Sequence, residues 1–285
     1  MEAGKKDQAI ANEIHKAFRE KKPLTIKRLL TNEYFLYFIS TLAFFLIWDL
    51  VAKSGIFKGA LASPFQVVER FERLWSDTLA GLTIWGHIWA SAKRIFIGFV
   101  IAAFIGVPLG LYMALNPYVD AVVKPIVDIF KPMPPISWIS IAILWFGVGE
   151  PSKVFIIVIG TFVACLLNAY NGIRLIEPEL YDVIRVLGGK RWHEILYVSF
   201  PAAFPAIFAG LQIGISWAWA CVLSAELVAS RSGLGFIIVQ GMKLSDPALV
   251  IGGMLLIAVV AWLTSIFMEL LEKLLCPWKR EISGL

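Results

Sequence analysis

Six long stretches of this chain contain no charged residue: Tyr34–Trp48, Ile95–Val119, Pro132–Gly149, Val154–Ile173, Ile195–Ala225 and Pro247–Met268. A bilayer core about 30 Å thick is crossed by roughly 20 apolar residues in helical form. Inside lipid there is no water to bond the backbone, so a crossing segment must satisfy its own amides, as a helix does. The pattern predicts an all-α integral membrane protein with six transmembrane helices, over about 34–52, 95–115, 119–147, 154–173, 200–226 and 247–270. Composition agrees: of 285 residues, 59% are hydrophobic and 16% charged, against about 25% charged in a soluble domain. Such a chain is not a disordered tail, a disulfide scaffold or a nucleic-acid binder. Its formal net charge of +5 belongs to Lys and Arg flanking the membrane.

The first span continues past Asp49 to Ala52. The third begins near Val119, carries Lys124, Asp128 and Lys131 in its first turns, and kinks at Pro132, Pro134 and Pro135, which have no amide hydrogen for a helix. No basic residue is placed in the middle of a span, so the spans are not expected to hold an anion by charge. Lys and Arg are in excess in residues 1–33, after the fourth span and in the C-terminal tail, which predicts that both termini are cytosolic. Residues 1–33 lack the apolar core of a signal peptide. They read either as a cytosolic amphipathic lead-in, with Ile10, Ile14 and Phe18 on one face, or as a solvated tail; residues 34–285 form the transmembrane domain. Ser63-Pro64, followed by Val67, Val68, Phe71, Leu74 and Trp75, predicts an N-capped amphipathic helix along the outer membrane surface. Cys165, Cys221 and Cys276 are far apart, without metal-ligand spacing, and no metal site is expected.

Two spans carry small residues four apart: Gly98, Ala102, Gly106 and Gly110 in the second, Ala206, Gly210, Gly214 and Ala218 in the fifth. Such faces let helices approach closely in lipid, so spans two and five are expected to be the central helices.

The segment 177–197 differs from its surroundings. Pro178 stands at a helix N1 position, with Glu177 and Glu179 at the positive end of the dipole. Leu180, Ile184 and Leu187 share one face, and Gly188-Gly189 ends the helix by admitting positive φ. Trp192, Ile195, Leu196 and Phe200 then lead to Pro201. This is a short helix, a glycine turn and a second helix on the cytosolic side, a shape able to receive a push from a partner.

From Asp182-Val183-Ile184, through Gly188 six residues on from Asp182, to Val198-Ser199-Phe200-Pro201, the spacing resembles the "EAA" loop. That loop marks the membrane subunits of binding-protein-dependent ATP-binding-cassette (ABC) importers. The family pattern has Glu-Ala-Ala where this chain has Asp182-Val183-Ile184, and Ile and Leu where it has Val198 and Phe200; Gly188, Pro201 and all spacings hold. The runs Lys131-Pro132-Met133-Pro134-Pro135-Ile136-Ser137-Trp138, Ile143-Leu144-Trp145-Phe146-Gly147, and Ala225-Glu226 with Ser232-Gly233-Leu234-Gly235 are similar to the nitrate/sulfonate/taurine permease branch. The resemblance runs from about Ser63 to the end.

It implies a type I ABC importer permease fold in a bacterial inner membrane. Two copies, or this chain and a close relative, would form the translocation path. Each would present its loop to one of two cytosolic ATPase subunits, with Glu179, Tyr181, Asp182, Val183, Ile184, Gly188, Gly189, Arg191, Trp192 and Pro201 as coupling residues. An extracytoplasmic binding protein would deliver a small solute, an anion such as a sulfonate, nitrate or taurine-like compound. This chain would be non-catalytic and without cofactor, ATP and Mg being bound by the partner ATPase; no Gly-x-x-x-x-Gly-Lys-Ser/Thr run occurs in it. The alternative is an autonomous secondary transporter or channel, which usually needs ion-binding side chains within its spans.

Candidates for the path are Met133, Pro134 and Pro135, since broken helices tend to line substrate routes, although a plain kink accounts for them as well. Trp217 and Trp219 cannot share a face, so one would line the path and the other meet lipid or a neighbour. Glu226, an acid at a membrane boundary, is a path candidate by default; otherwise it pairs with Arg231 or a backbone donor. His87 and His193 are isolated and read as interfacial or solvated. Trp and Phe, 11 and 20 in number, serve membrane anchoring and core packing.

Overall fold

A computed structural model describes residues 33–278, apart from Lys58 and Asp77. The lead-in or tail expected over residues 1–33 lies outside the described residues, save Glu33. The chain divides into two units, 1–58 and 59–285. The first contains α1 (Glu33–Lys53). Its 21 residues span about 31 Å at 1.5 Å per residue, and large apolar side chains such as Phe38, Phe44, Leu46 and Ile47 are exposed around it. Several of its polar groups bond within the helix. Asp49 pairs with Lys53 at 2.6 Å, and the Ser40 and Thr41 hydroxyls donate to the Tyr37 carbonyl.

The second unit contains α2 (Pro64–Ser76), α3 (Ile84–Leu115), α4 (Pro117–Phe130), α5 (Ile139–Phe146), α6 (Glu150–Arg174), α7 (Pro178–Val186), α8 (Phe200–Ala229), α9 (Leu234–Lys243) and α10 (Pro247–Leu275). A helical turn at Arg191–His193 and a π-helical stretch at Glu194–Ser199 run directly into α8. By length and composition, five described helices can cross a bilayer, or six if the bent pair α4 and α5 counts as one.

That pair departs from the single third span expected over 119–147. α4 and α5 lie at 90° to each other, joined by Lys131–Pro134 and a 3-10 turn at Pro135–Trp138. Three prolines within four residues remove three amide donors, so the helix stops instead of bending. The second span also differs: α3 starts at Ile84, where the Thr83 hydroxyl accepts from the Gly86 amide, well before the expected residue 95. Charged Lys93 and Arg94 therefore lie inside a helix, which is possible for buried Arg94 because two carboxylates meet it. α2 begins with reciprocal capping. The Ser63 amide donates to Gln66 Oε1 at 2.8 Å and the Gln66 amide to Ser63 Oγ at 3.4 Å. Its apolar stripe, with Val67 and Leu74 buried, packs on α10, and Arg70 Nε donates to Asp246 Oδ2 at 2.7 Å.

The two ladders of small residues both dock on α6, which is thus the central helix in place of the two that carry them. A Cβ on Gly98 would stand 2.6 Å from Ile157, one on Gly106 would stand 3.0 Å from the Phe162 carbonyl, and one on Gly110 would collide with the Leu166 carbonyl. From the other side, a Cβ on Gly210 would stand 2.5 Å from Asn168 and one on Gly214 would stand 3.0 Å from Thr161. α6 returns the favour at Gly172, where a Cβ would stand 2.8 Å from Ala206. Backbone contact this close holds helices together where lipid competes for every apolar side chain.

Replacing Gly110 by Leu is therefore expected to force α3 off α6 and cost about 1–3 kcal/mol or more. The detergent-extracted protein should aggregate at lower temperature than the parent, whereas Val100→Leu, on the exposed face of α3, should leave the aggregation midpoint unchanged.

Candidate functional site

The segment 177–197 folds as a compact hairpin. At the end of α7 the Gly189 amide donates to the Ile184 carbonyl at 2.9 Å and the Gly188 amide to the Arg185 carbonyl at 3.0 Å, the paired bonds of a Schellman cap. Gly188 has φ +75°. Gly189 does not share this left-handed geometry, contrary to the sequence expectation for both; it is small for a different reason, since a Cβ there would collide with Ile184.

Side chains then tie the hairpin down. Arg185 donates to Glu194 at 2.8 Å and to Asp182 at 3.2 Å. The bond to Glu194, followed by its charge, holds the guanidinium above its ordinary pKa. Tyr181 Oη and Ser199 Oγ are 3.1 Å apart. Arg191 donates to the Leu115 carbonyl at 2.9 Å, joining the hairpin to the last turn of α3. Glu179, Asp182, Val183, Gly188, Arg191 and Trp192 are exposed, Tyr181, Ile184 and Gly189 half-buried. Pro201 lies apart from them in a groove of about 440 Å³ with Leu180, Tyr197 and Trp278. The outcome is a partly apolar knob fastened to α3 and continuous with α8.

Of the path candidates, the structure brings Met133, Pro134, Pro135 and Trp217 to one cavity of about 710 Å³, formed where α4 breaks. Gly160 lies opposite Pro135; a Cβ there would collide with Cys221 and stand 3.2 Å from the proline ring. Lys131, Trp138 and Asn168 also line the cavity. Sequence reasoning placed Lys131 in the opening turns of a span, and only the break reveals that it faces this space. The other two candidates are elsewhere. Trp219 is buried, its indole donating to Thr264 on α10 at 2.9 Å.

Glu226 belongs to a buried polar cluster at the other end of α8. Of the expected partners, Arg231 or a backbone donor, it has the second, the Gly235 amide donating to Oε2 at 2.8 Å; its charge partner is Arg94, whose Nη1 donates to Oε1 at 2.6 Å. Ser91 adds a third bond at 2.7 Å. The rest of the Arg94 guanidinium grips Glu150 through two bonds of 2.6 and 2.7 Å and Ser232 through its carbonyl and hydroxyl. His87, expected at an interface or in solvent, is buried here. Its Nδ1 accepts from the Gly233 amide at 3.1 Å and its Nε2 faces the Leu79 carbonyl at 3.0 Å. The Ser91 hydroxyl also accepts from the Leu234 amide at 2.9 Å, so three side chains satisfy the first amides of α9, and all five guanidinium donors of Arg94 have acceptors. No group of three possible metal ligands occurs among the described residues.

Removing one partner of a buried ion pair leaves the other charge stranded, at a cost of about 3–5 kcal/mol. Arg94→Met should lower the thermal midpoint of the extracted protein sharply, and the double variant Arg94→Met with Glu226→Leu should recover part of the loss. A midpoint unmoved by Arg94→Met would show that the cluster carries no stability.

Residues 106–281 match the family described as binding-protein-dependent transport system inner membrane component. The taurine transport system permease protein TauC of Escherichia coli K12 is 31% identical over 252 residues, covering 86% of this chain and 90% of the relative. The nitrate import permease protein NrtB of Synechocystis is 30% identical over 226 residues, covering 76% and 81%. Among solved structures, an inward-facing conformation of the MetNI methionine ABC transporter shares the fold, with a TM-score of 0.59 at 17% identity over 71% of this chain and 96% of that one. With its apolar helices and this match across more than half its length, the chain belongs to the binding-protein-dependent transport system inner membrane components, the multi-pass permeases of ABC importers.

Proposed function

We propose that this permease forms the translocation path for a small anion, such as a sulfonate, nitrate or a taurine-like compound, and couples it to ATP hydrolysis in two partner ATPase subunits that hold the ATP and Mg. The path lies between two copies of the chain, or this chain and a close relative, with both termini cytosolic. An extracytoplasmic binding protein supplies the solute. The relatives' names support the solute class, for they include taurine and nitrate permeases.

The observation that carries the coupling role is the Gly188-hinged hairpin. It presents Val183, Val186, Leu187 and Trp192 to solvent while Arg191 fastens it to α3 and its chain continues unbroken into α8. A push on the knob is therefore delivered to the ends of two long helices that flank α6. Met133, Pro134, Pro135 and Trp217 form the path wall at the break, whereas Trp219 and Glu226 support it from behind.

A β-branched residue at φ +75° costs about 1–3 kcal/mol, so Gly188→Val should distort the knob without preventing membrane insertion. In proteoliposomes holding the whole importer, uptake should fall about tenfold or more, since each 1.4 kcal/mol is a factor of ten, while ATP hydrolysis persists. Normal coupled uptake by this variant would end the coupling assignment. Purification in mild detergent should also bring down an ATPase in equal amount; a chain that purifies alone after gentle cross-linking favours an autonomous transporter.

A further inference from the structure

Lys124, Asp128 and Lys131 form one ladder along α4. Lys124 Nζ donates to Asp128 Oδ2 at 2.8 Å and Lys131 Nζ to Asp128 Oδ1 at 2.7 Å, so the ladder carries a net charge of +1. All three side chains are exposed by more than a third.

Their depth follows from how α4 packs antiparallel to α6. Asp120 reaches Tyr170 and Arg174 at the end of α6, Val127 packs with Leu166 further along, and Pro135 lies over Gly160 near the middle. Lys131 therefore stands near mid-span. At 1.5 Å per residue, it is about 21 Å along α4 from Pro117. Charges exposed at that depth do not face lipid; they face a watery cavity or a partner. Apart from Lys131 and Asn168, the side chains lining the cavity beside them are apolar. Met133, Trp138 and Trp217 wall it, no acid lines it, and among the described residues the Trp217 ring has no aromatic neighbour.

Resting on the importer reading above, we propose that this ladder and cavity are a solute subsite for an organic anion, whose charged group meets Lys131 and whose apolar body lies against Met133 and Trp217. Asp128 is the counterweight that keeps the hold loose enough for release. A bare inorganic anion gains only the lysine half of the site.

The test is a Met133→Cys reporter in phosphatidylcholine nanodiscs, modified by an anionic sulfonatoethyl or a cationic trimethylammonioethyl methanethiosulfonate. The rates are scaled to those of a free thiol. The anionic reagent should react faster. Adding Lys131→Gln should lower the anion-to-cation rate ratio by about threefold to tenfold, and adding Asp128→Asn should raise it by a similar factor, as expected for one charge nearby in a watery site; Lys131→Arg should leave it unchanged. Pentanesulfonate should slow modification more than nitrate at equal concentration.

Opposite shifts from the two substitutions cannot come from a merely structural ladder, which would respond to both in the same direction. A reporter unreactive to both reagents, as when lipid or a second copy fills the cavity, overturns the proposal. So does a ratio that neither substitution moves, equal slowing by nitrate, or protection that comes from added phosphatidylglycerol in place of pentanesulfonate. The ratio is readable on the purified chain whether or not an ATPase accompanies it, so failure of the importer reading and failure of this subsite are separate results.

Discussion

A helix already in lipid gains little by exchanging an acyl chain for another apolar side chain, so what holds this fold is proximity of backbones. α6 is the helix to which this applies twice. Gly98, Gly106 and Gly110 bring α3 against one side of it, and Gly210, Gly214 and its own Gly172 bring α8 against another. The 3-10 turn at Pro135–Trp138 meets it as well, with Pro135 at Gly160. Cavity, hairpin and polar cluster are all positioned through these contacts. The hairpin joins α3 to α8, the cavity opens between α6 and the broken α4, and the polar cluster closes the far ends of α3, α6 and α8.

Much of this was legible in the residues, for identifiable reasons. Apolar length marks a membrane helix whatever its neighbours do, so the positions of α1, α6, α8 and α10 could be read within a few residues. Gly188 and Pro178 are local signals and predicted the hairpin. The ladders of small residues predicted close packing, but not the partner: periodicity says that a face is flat and is silent about what covers it, so α6 was overlooked as the centre. The differences at α3 and at His87 have one origin, whereas the break in the third span comes from its three prolines. A charged or polar residue reads as a boundary or as solvated when its side chain is considered alone, and that reading fails once distant residues neutralise it. Arg94 pairs with a residue 132 positions away, and no local pattern records that. Trp217 and Trp219 show the same limit: two positions apart, they face a cavity and a helix interface respectively, and only the packing of α8 separates them.

The charged groups of the second unit fall into two kinds. Around Arg94 every donor has an acceptor, the buried Glu226 among them, an arrangement that fixes helix ends and resists rearrangement. Lys124 and Asp128 on α4, with Lys131 just beyond it, bond only to each other and remain open to their surroundings, whereas Asp120 is tied to α6. The first kind suits a support that stays constant while helices move, the second a surface past which something charged travels. The hairpin combines both habits. Its ion pairs between Arg185, Asp182 and Glu194 are internal, and its apolar side chains face outward.

The Arg94 cluster also bears on how the chain is made. The ribosome adds residues in order, so Arg94 emerges 56 residues before Glu150 and 132 before Glu226. When α3 first meets the membrane its guanidinium has no carboxylate to bury against. The helix must wait with that end near water until α6 supplies one partner and α8 the second. The seating of α3 is thus completed late, after the central helix has arrived, and the depth of an early helix is set by an acid near the end of a later one.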